Sequence, residues 1–146
     1  MTMPEHQSPW MNEELNIMRD AVRKFINKEF VPKSEAWDKQ GYVDREAWQQ
    51  AGAAGLLCAS IPAEYGGGGG DFRHEMVLVE EFSYANISGF GNGVHSGIVA
   101  HYVNSYGSEE QKKRWLPKMA SGELVSAIAM SEPGTGSDLQ AVKTTA

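Results

Sequence analysis

Apolar positions over about the first 120 residues recur at helical spacing. Leu15, Met18, Val22 and Phe25 form one stripe, which Ile26 and Phe30 widen. Residues three and four apart share a helix face, so the pattern predicts a helix over about 12–30 with Asn12 as a candidate N-cap. Arg19, Arg23, Lys24 and Lys28 lie mostly off the stripe. Pro32 has no amide hydrogen and should break or restart this helix. A second helix from Pro32 should end near Gln40-Gly41, where glycine suits a C′ residue. Residues 1–11 show no apolar periodicity and read as a flexible tail.

Further along, Asp44 is a candidate N-cap for a short helix through Ala51, which Gly52 and Gly55 should interrupt. Leu56 to Ile61 is an apolar run that reads as extended. Pro62 to Gly70 is a turn and loop with five consecutive glycines, Gly66 to Gly70. No Lys-Ser/Thr follows them, so a Walker-type phosphate loop is excluded and a flexible connector is the expectation. The next helix should run from Asp71 or Phe72 to Ala85, with Phe72, Met76, Val79 and Phe82 on one face. After a glycine-rich turn at Ser88 to Gly93, another helix reaches Tyr106, carries Val94, Ile98 and Tyr102 at every fourth position, and stops at Gly107. Ser108 and Gln111 have the spacing of a capping box. The helix they open carries Trp115, Leu116 and Met119, and Pro117 limits it unless a kink is tolerated. Ser121-Gly122-Glu123 is a turn, and Leu124 to Met130 is the first strand-like run. One strand makes no sheet. The expected organisation is an all-α domain over 12–121, followed over 122–146 by the first strand of a truncated β domain.

Charge and composition narrow the function classes. A net charge of −6 and a pI near 5.2 argue against nucleic acid as the main partner, because phosphate binding needs a basic surface. Cys58 is the only cysteine, which rules out an intrachain disulfide and a thiolate metal cluster. No run approaches the roughly 20 apolar residues of a membrane span, and the first residues are polar, so a cytoplasmic location is the expectation. His95 and His101 are six apart and share no helical face, so no metal site is expected. His95 and Ser96 are adjacent, and adjacent helical side chains diverge by about 100°. They therefore make no base–nucleophile pair. Glu80-Glu81 and Glu109-Glu110 read as solvated helix positions or first-turn charges.

The segment Ala127-Ile128-Ala129-Met130-Ser131-Glu132-Pro133-Gly134-Thr135-Gly136-Ser137-Asp138 carries the most chemistry. A strand-like run leads into hydroxyls at Ser131, Thr135 and Ser137. Gly134 and Gly136 permit close backbone approach, and Pro133 holds Glu132 extended. The combination suits a phosphate or a polar heteroaromatic edge, and equally suits a plain strand-to-turn connection.

Met130 to Asp138 resembles the acyl-CoA dehydrogenase signature, in which Thr or Ser precedes Glu-Pro and Gly-Ser-Asp follows. The resemblance extends through Leu15 to Pro32, Ala54-Gly55-Leu56-Leu57, Pro62 to Gly67 and Gly107 to Pro117, in the family's order. Val94 to Val99 and Asp138-Leu139-Gln140 are most similar to the long-chain enzymes. The resemblance implies an N-terminal helical domain, a middle β domain and a C-terminal helical bundle, with this chain covering the first domain and the opening of the second. It implies bound FAD, acyl-CoA as substrate, electron-transferring flavoprotein as acceptor and a homotetramer. Carried over by position, Ile128, Ala129, Met130, Ser131, Glu132, Pro133, Gly134, Thr135, Gly136 and Ser137 would bind the cofactor, and Ser137 would also contact acyl-CoA. The family's catalytic carboxylate lies in the C-terminal domain, so no residue here takes that role and the 146-residue chain alone is expected to be inactive. Two alternatives stay open: a flavin oxidase or monooxygenase of the same fold, and a non-enzymatic helical module.

Overall fold

The computed structural model describes residues 8–87 and 89–145. Seven α-helical segments follow in order: α1 Glu13–Phe25, α2 Val31–Gln40, α3 Arg45–Ala53, α4 Phe72–Tyr84, α5 Asn92–Val94, α6 Ala100–Tyr106 and α7 Glu109–Ala120. Two π-helical turns, Ile26–Phe30 and His95–Val99, join α1 to α2 and α5 to α6. No strand forms among the described residues, apart from a single bridge between Glu132 and Thr135. Most of the expected tail lies outside the described residues. Residues 8–11 form a turn closed by the Met11 amide on the Ser8 carbonyl at 3.0 Å.

Local signals set the helix ends. Asn12 Oδ1 accepts the Leu15 amide at 2.9 Å. The chain then bends without breaking: the Val31 amide reaches five residues back to the Ile26 carbonyl, and Pro32 opens α2 where no amide is needed. Gly41, at φ 81°, closes α2 with its amide on the Trp37 carbonyl. Asp44 occupies the N-cap of α3 but spends its carboxylate on Trp37 Nε1 (3.0 Å) and Gln40 Nε2 (2.9 Å). Asp71 and His74 cap α4 reciprocally, and Ser108 and Gln111 cap α7 in the same way. α7 continues through Pro117 to Ala120.

Two apolar clusters hold the domain together. Phe30 is the hub of the larger, with Trp37 and Phe90 edge-to-face at 5.2 and 5.0 Å and Phe82 at 5.8 Å. The second joins Cys58, Ile61 and Tyr65 to Ala100, Leu116, Met119 and Ala120. α1 packs on α4, and α6 on α7.

Several expectations are corrected. Gly52 does not interrupt α3; it lies inside the helix, where a Cβ would sit 2.3 Å from the Ser121 carbonyl. Leu56 to Ile61 is not extended but a series of buried turns, with Cys58 in the left-handed region at φ 54°. The glycine run is not a flexible connector. The amides of Gly68, Gly69 and Gly70 bond the carbonyls of Cys58, Ile61 and Ala59, and a Cβ at Gly67 would stand 2.2 Å from the Ile61 carbonyl oxygen. Glycine is there for close approach.

On α4, Phe72 and Val79 are exposed, and the buried face runs through Glu75, Val77, Leu78, Glu81 and Phe82. Glu81 is therefore not solvated: it is 2% exposed and held in a fork by Arg23 at 2.8 and 2.9 Å. Val94, Ile98 and Tyr102 are exposed, while Asn92, His95, Ser96 and Ala100 face inward. Leu124 to Met130, expected as a strand, is neither helical nor paired in a ladder, and no neighbouring strand is present among the described residues to accept it.

Candidate cofactor loop

The candidate loop hangs from the helical domain by a short series of fixed points. After α7, Gly122 turns the chain at φ 74°, with its Cα so close to the Trp48 carbonyl that a Cβ would lie 2.2 Å from the oxygen. The Leu124 amide bonds the Lys118 carbonyl at 2.9 Å, and the Arg45 guanidinium donates to the Glu123 carbonyl. Ser126 comes next, with its amide on His95 Nδ1 at 3.1 Å. Ala127, Ile128, Ala129, Met130 and Ser131 are then all exposed, Ile128 at 40% and Met130 at 52%.

Beyond Ser131 the chain closes on itself. Glu132 and Thr135 exchange both backbone hydrogen bonds, at 3.1 and 2.9 Å, with Pro133-Gly134 at the tip. The Glu132 carboxylate accepts the Lys143 amide (2.7 Å), the Thr144 amide (3.1 Å) and the Thr144 hydroxyl (2.6 Å). These donors, the Thr144 hydroxyl first, hold the carboxyl below its ordinary range. Buried Thr135 donates its hydroxyl to the Ala141 carbonyl at 2.9 Å. Asp138 caps a short 3₁₀ turn, Leu139–Ala141, through the Gln140 amide.

The ten expected site residues thus fall into two groups. Glu132 and Thr135 brace the loop from within, so the Thr135 hydroxyl is committed inside the chain. Ile128, Ala129, Met130, Ser131, Pro133, Gly134, Gly136 and Ser137 are presented to the outside. At Gly134 and Gly136 neither φ is left-handed, and a Cβ would meet nothing within 4 Å. The fold's own packing needs neither glycine. Bare backbone between two exposed hydroxyls, beside an exposed apolar strip, fits a cofactor with a polar heteroaromatic edge and an anionic linker.

The site's supports were not legible in the sequence. His95 is fully buried, and its Nε2 meets the Met119 carbonyl at 3.0 Å. Burial pushes its pKa below the ordinary imidazole value. Next to it, Ser96 donates to Asn92 Oδ1 and accepts the Cys58 amide at 2.9 Å. Asn92, His95 and Ser96 stand three and four residues apart and so face inward together. A second polar cluster joins Ser60 Oγ to Glu75 Oε1 (3.0 Å) and His101 Nε2 (2.9 Å). It has the composition of a catalytic triad but the wrong order. The carboxylate sits on the serine rather than behind the imidazole, so nothing orients a base toward the hydroxyl. Among the described residues, no group of His, Cys, Asp or Glu could hold a metal, and no helix is long and apolar enough to cross a membrane.

A family model for the acyl-CoA dehydrogenase N-terminal domain matches residues 12–123. The mitochondrial long-chain specific acyl-CoA dehydrogenase of Sus scrofa is 47% identical over 135 residues, covering 92% of this chain and 31% of that protein. The crystal structure of an acyl-CoA dehydrogenase from Geobacillus kaustophilus matches with a TM-score of 0.88 at 43% identity, over 93% of this chain and 36% of that one. That of a Bacillus anthracis acyl-CoA dehydrogenase complexed with FAD matches with a TM-score of 0.80 at 34% identity, over 94% of this chain and 24% of the other. The chain spans about a third of the length of the relatives it matches. With the helical domain, the order of its motifs and the loop all in place, the chain belongs to the acyl-CoA dehydrogenase family and carries its N-terminal domain.

Proposed function

We propose that residues 128–137 form part of the flavin site of an acyl-CoA dehydrogenase. The observation that carries the reading is the pair of glycines, Gly134 and Gly136, which the chain's own packing leaves unexplained, set between the exposed hydroxyls of Ser131 and Ser137. Met130 and Ser131 would hold the ring, with Ser131 donating through its hydroxyl or amide to the polar edge. Gly136 and Ser137 would take the pyrophosphate, where an absent Cβ lets backbone amides come close. Ser137 would also contact the acyl-CoA. When bound, FAD supplies the hydride acceptor for oxidation of an acyl-CoA to the trans-2-enoyl-CoA, the α-proton going to a carboxylate outside this chain.

The Gly89 to Ser96 turn would border the acyl chain's cavity. A cavity of about 410 Å³ lies there, lined in part by Phe90, Asn92 and Gly93. Electron-transferring flavoprotein is the proposed acceptor, a homotetramer the proposed assembly, and the cytoplasm the proposed location. The test is the visible spectrum and mass of the native gene product, followed by FAD titration of Ser131→Ala. Losing one typical hydrogen bond, about 1 kcal/mol, weakens FAD binding roughly fivefold. Residues 1–146 alone should bind FAD poorly and show no turnover. Flavin-free native protein, or unaltered FAD affinity in Ser131→Ala, would count against the assignment.

A further inference from the structure

His95 stands where the helical core meets the segment leading to Ser131. Its ring makes a bond at each nitrogen. Nδ1 faces the Ser126 amide at 3.1 Å and the Ser126 hydroxyl at 2.9 Å. A nitrogen that accepts a backbone N–H carries no proton, so the hydrogen is on Nε2, where it is donated to the Met119 carbonyl at 3.0 Å. The ring stacks edge-to-face on Trp48 at 5.2 Å and is 0% exposed. Its two partners belong to different elements: Met119 to the end of α7, Ser126 to the segment beyond the Gly122 turn. Among the described residues, Ser126 is the last whose backbone is tied to the helical domain before five exposed residues lead into the self-closed loop.

We propose that His95 is a positioning residue: as the neutral Nε2–H tautomer it latches Ser126 to the core, and through Ser126 it sets where residues 127–131, and hence Ser131, stand against the ligand. The assignment of that ligand as flavin rests on the reading above; the latch does not. Protonation would remove the Nδ1 acceptor and turn it toward the Ser126 amide as a second donor. The charges that act on the ring are Glu75 from α4, which favours the proton, and Arg45 from α3, which opposes it. Trp48, Met119 and Ser126 bring no charge, and desolvation outweighs Glu75, so the latched ring is neutral.

Two substitutions separate latching from mere packing. In His95→Asn the amide oxygen falls where Nδ1 was, keeping an acceptor for Ser126. In His95→Gln the amide nitrogen falls where Nε2 was, keeping the Met119 bond and losing the latch. Backbone order parameters and amide exchange of the uniformly labelled 146-residue chain read the result without flavin. In His95→Gln the Ser126 amide should exchange at least tenfold faster, and the order parameters of 127–131 should fall below their wild-type values, to under about 0.6. In His95→Asn both should stay near wild type. In the wild-type chain, Ser126 protection corrected for intrinsic exchange should fall up to tenfold per pH unit below about 6.5, the ordinary imidazole value, and His95→Gln should show no such slope. Equal loosening by both variants, or no loosening by either, overturns the latch. FAD titration of the native gene product judges the flavin assignment separately. Loosened 127–131 with unchanged FAD affinity sinks the role toward the ligand, and a wild type that binds no FAD sinks the flavin reading while the exchange data still decide the latch.

Discussion

Replacing Gly67 with alanine distinguishes the two reasons for which a chain carries glycine, because they predict opposite signs. In a flexible connector, the added methyl restricts the unfolded chain and stabilises the fold by about 0.4–1 kcal/mol. In the structure, that methyl would lie 2.2 Å from the Ile61 carbonyl oxygen and 2.7 Å from Ile61 C and Cβ. These atoms cannot step aside: Ile61 is fully buried, its amide bonds Cys58 and its carbonyl accepts the Gly69 amide. Relief requires a shift of about 1 Å between two backbone segments, an overpacking cost of about 1–3 kcal/mol. Weakening one or two of the bonds from Gly67, Gly68, Gly69 and Gly70 adds about 1 kcal/mol more. Against the unfolded-state gain, a net loss of about 2–3 kcal/mol remains. Urea unfolding followed by tryptophan fluorescence, checked for two-state behaviour, measures it. For a chain of about this size the same loss lowers Tm by roughly 4–12 °C. Gly93→Ala and Gly134→Ala, where a Cβ meets nothing within 4 Å, are the controls and should be neutral or slightly stabilising. A Gly67→Ala protein at least as stable as wild type would refute the packed loop.

Removing Arg23 should expose how much the buried carboxylate of Glu81 depends on it. Stripping one partner from a fully buried pair costs about 3–5 kcal/mol, but Arg23 is 40% exposed, so Arg23→Ala should cost about 2 kcal/mol in urea unfolding. Glu81→Gln should recover part of that loss, and strict additivity in the double-mutant cycle would deny the coupling. Cys58 is buried, and desolvation pushes its thiol up to about 12. At pH 8 the native protein should react with a thiol reagent only as fast as it opens, and stoichiometric labelling on mixing would contradict the buried environment. Gly136→Val should change stability by less than about 0.5 kcal/mol while weakening FAD binding by the native gene product more than tenfold, and a variant that loses stability instead would place the glycine in the fold rather than in the site.

The sequence disclosed those features whose cause is local. Asn12, Gly41, Asp71 and the Ser108–Gln111 pair end or begin helices because each acts on amides or carbonyls within a few residues. Features caused by distant contacts were hidden. Five glycines look the same whether they serve freedom or close approach, and only the return of the chain onto residues 58–61 separates the two. Glu81 reads as solvated, and nothing in the sequence marks Glu75, His95 or Ser96 as buried, yet all four are buried with partners from other elements. Nor does periodicity by itself say which row of a helix is buried. Val94, Ile98 and Tyr102 do share a row at every fourth position, but that row faces out, while Asn92, His95, Ser96 and Ala100 face in.

Within the candidate loop the same limit operates on a smaller scale. Ser131, Thr135 and Ser137 are equivalent as types, all hydroxyls close to glycine or proline. The fold makes them different: Thr135 is spent on the Ala141 carbonyl, and Glu132 on the Lys143 and Thr144 amides, so these two give the loop its shape. That division is also what makes the remaining groups usable. A ligand can be met by Ser131, Gly134, Gly136 and Ser137 at low entropic cost only if the backbone carrying them is already fixed. The fixing comes from two ends: Glu132 and Thr135 close the loop internally, while His95 and Arg45 moor the segment that leads into it. Residues 127–131, between the two sets of ties, are the span over which position is least constrained by this chain. That span contains Met130 and Ser131, and on the proposed latch its geometry depends most on the contacts of Ser126 with His95.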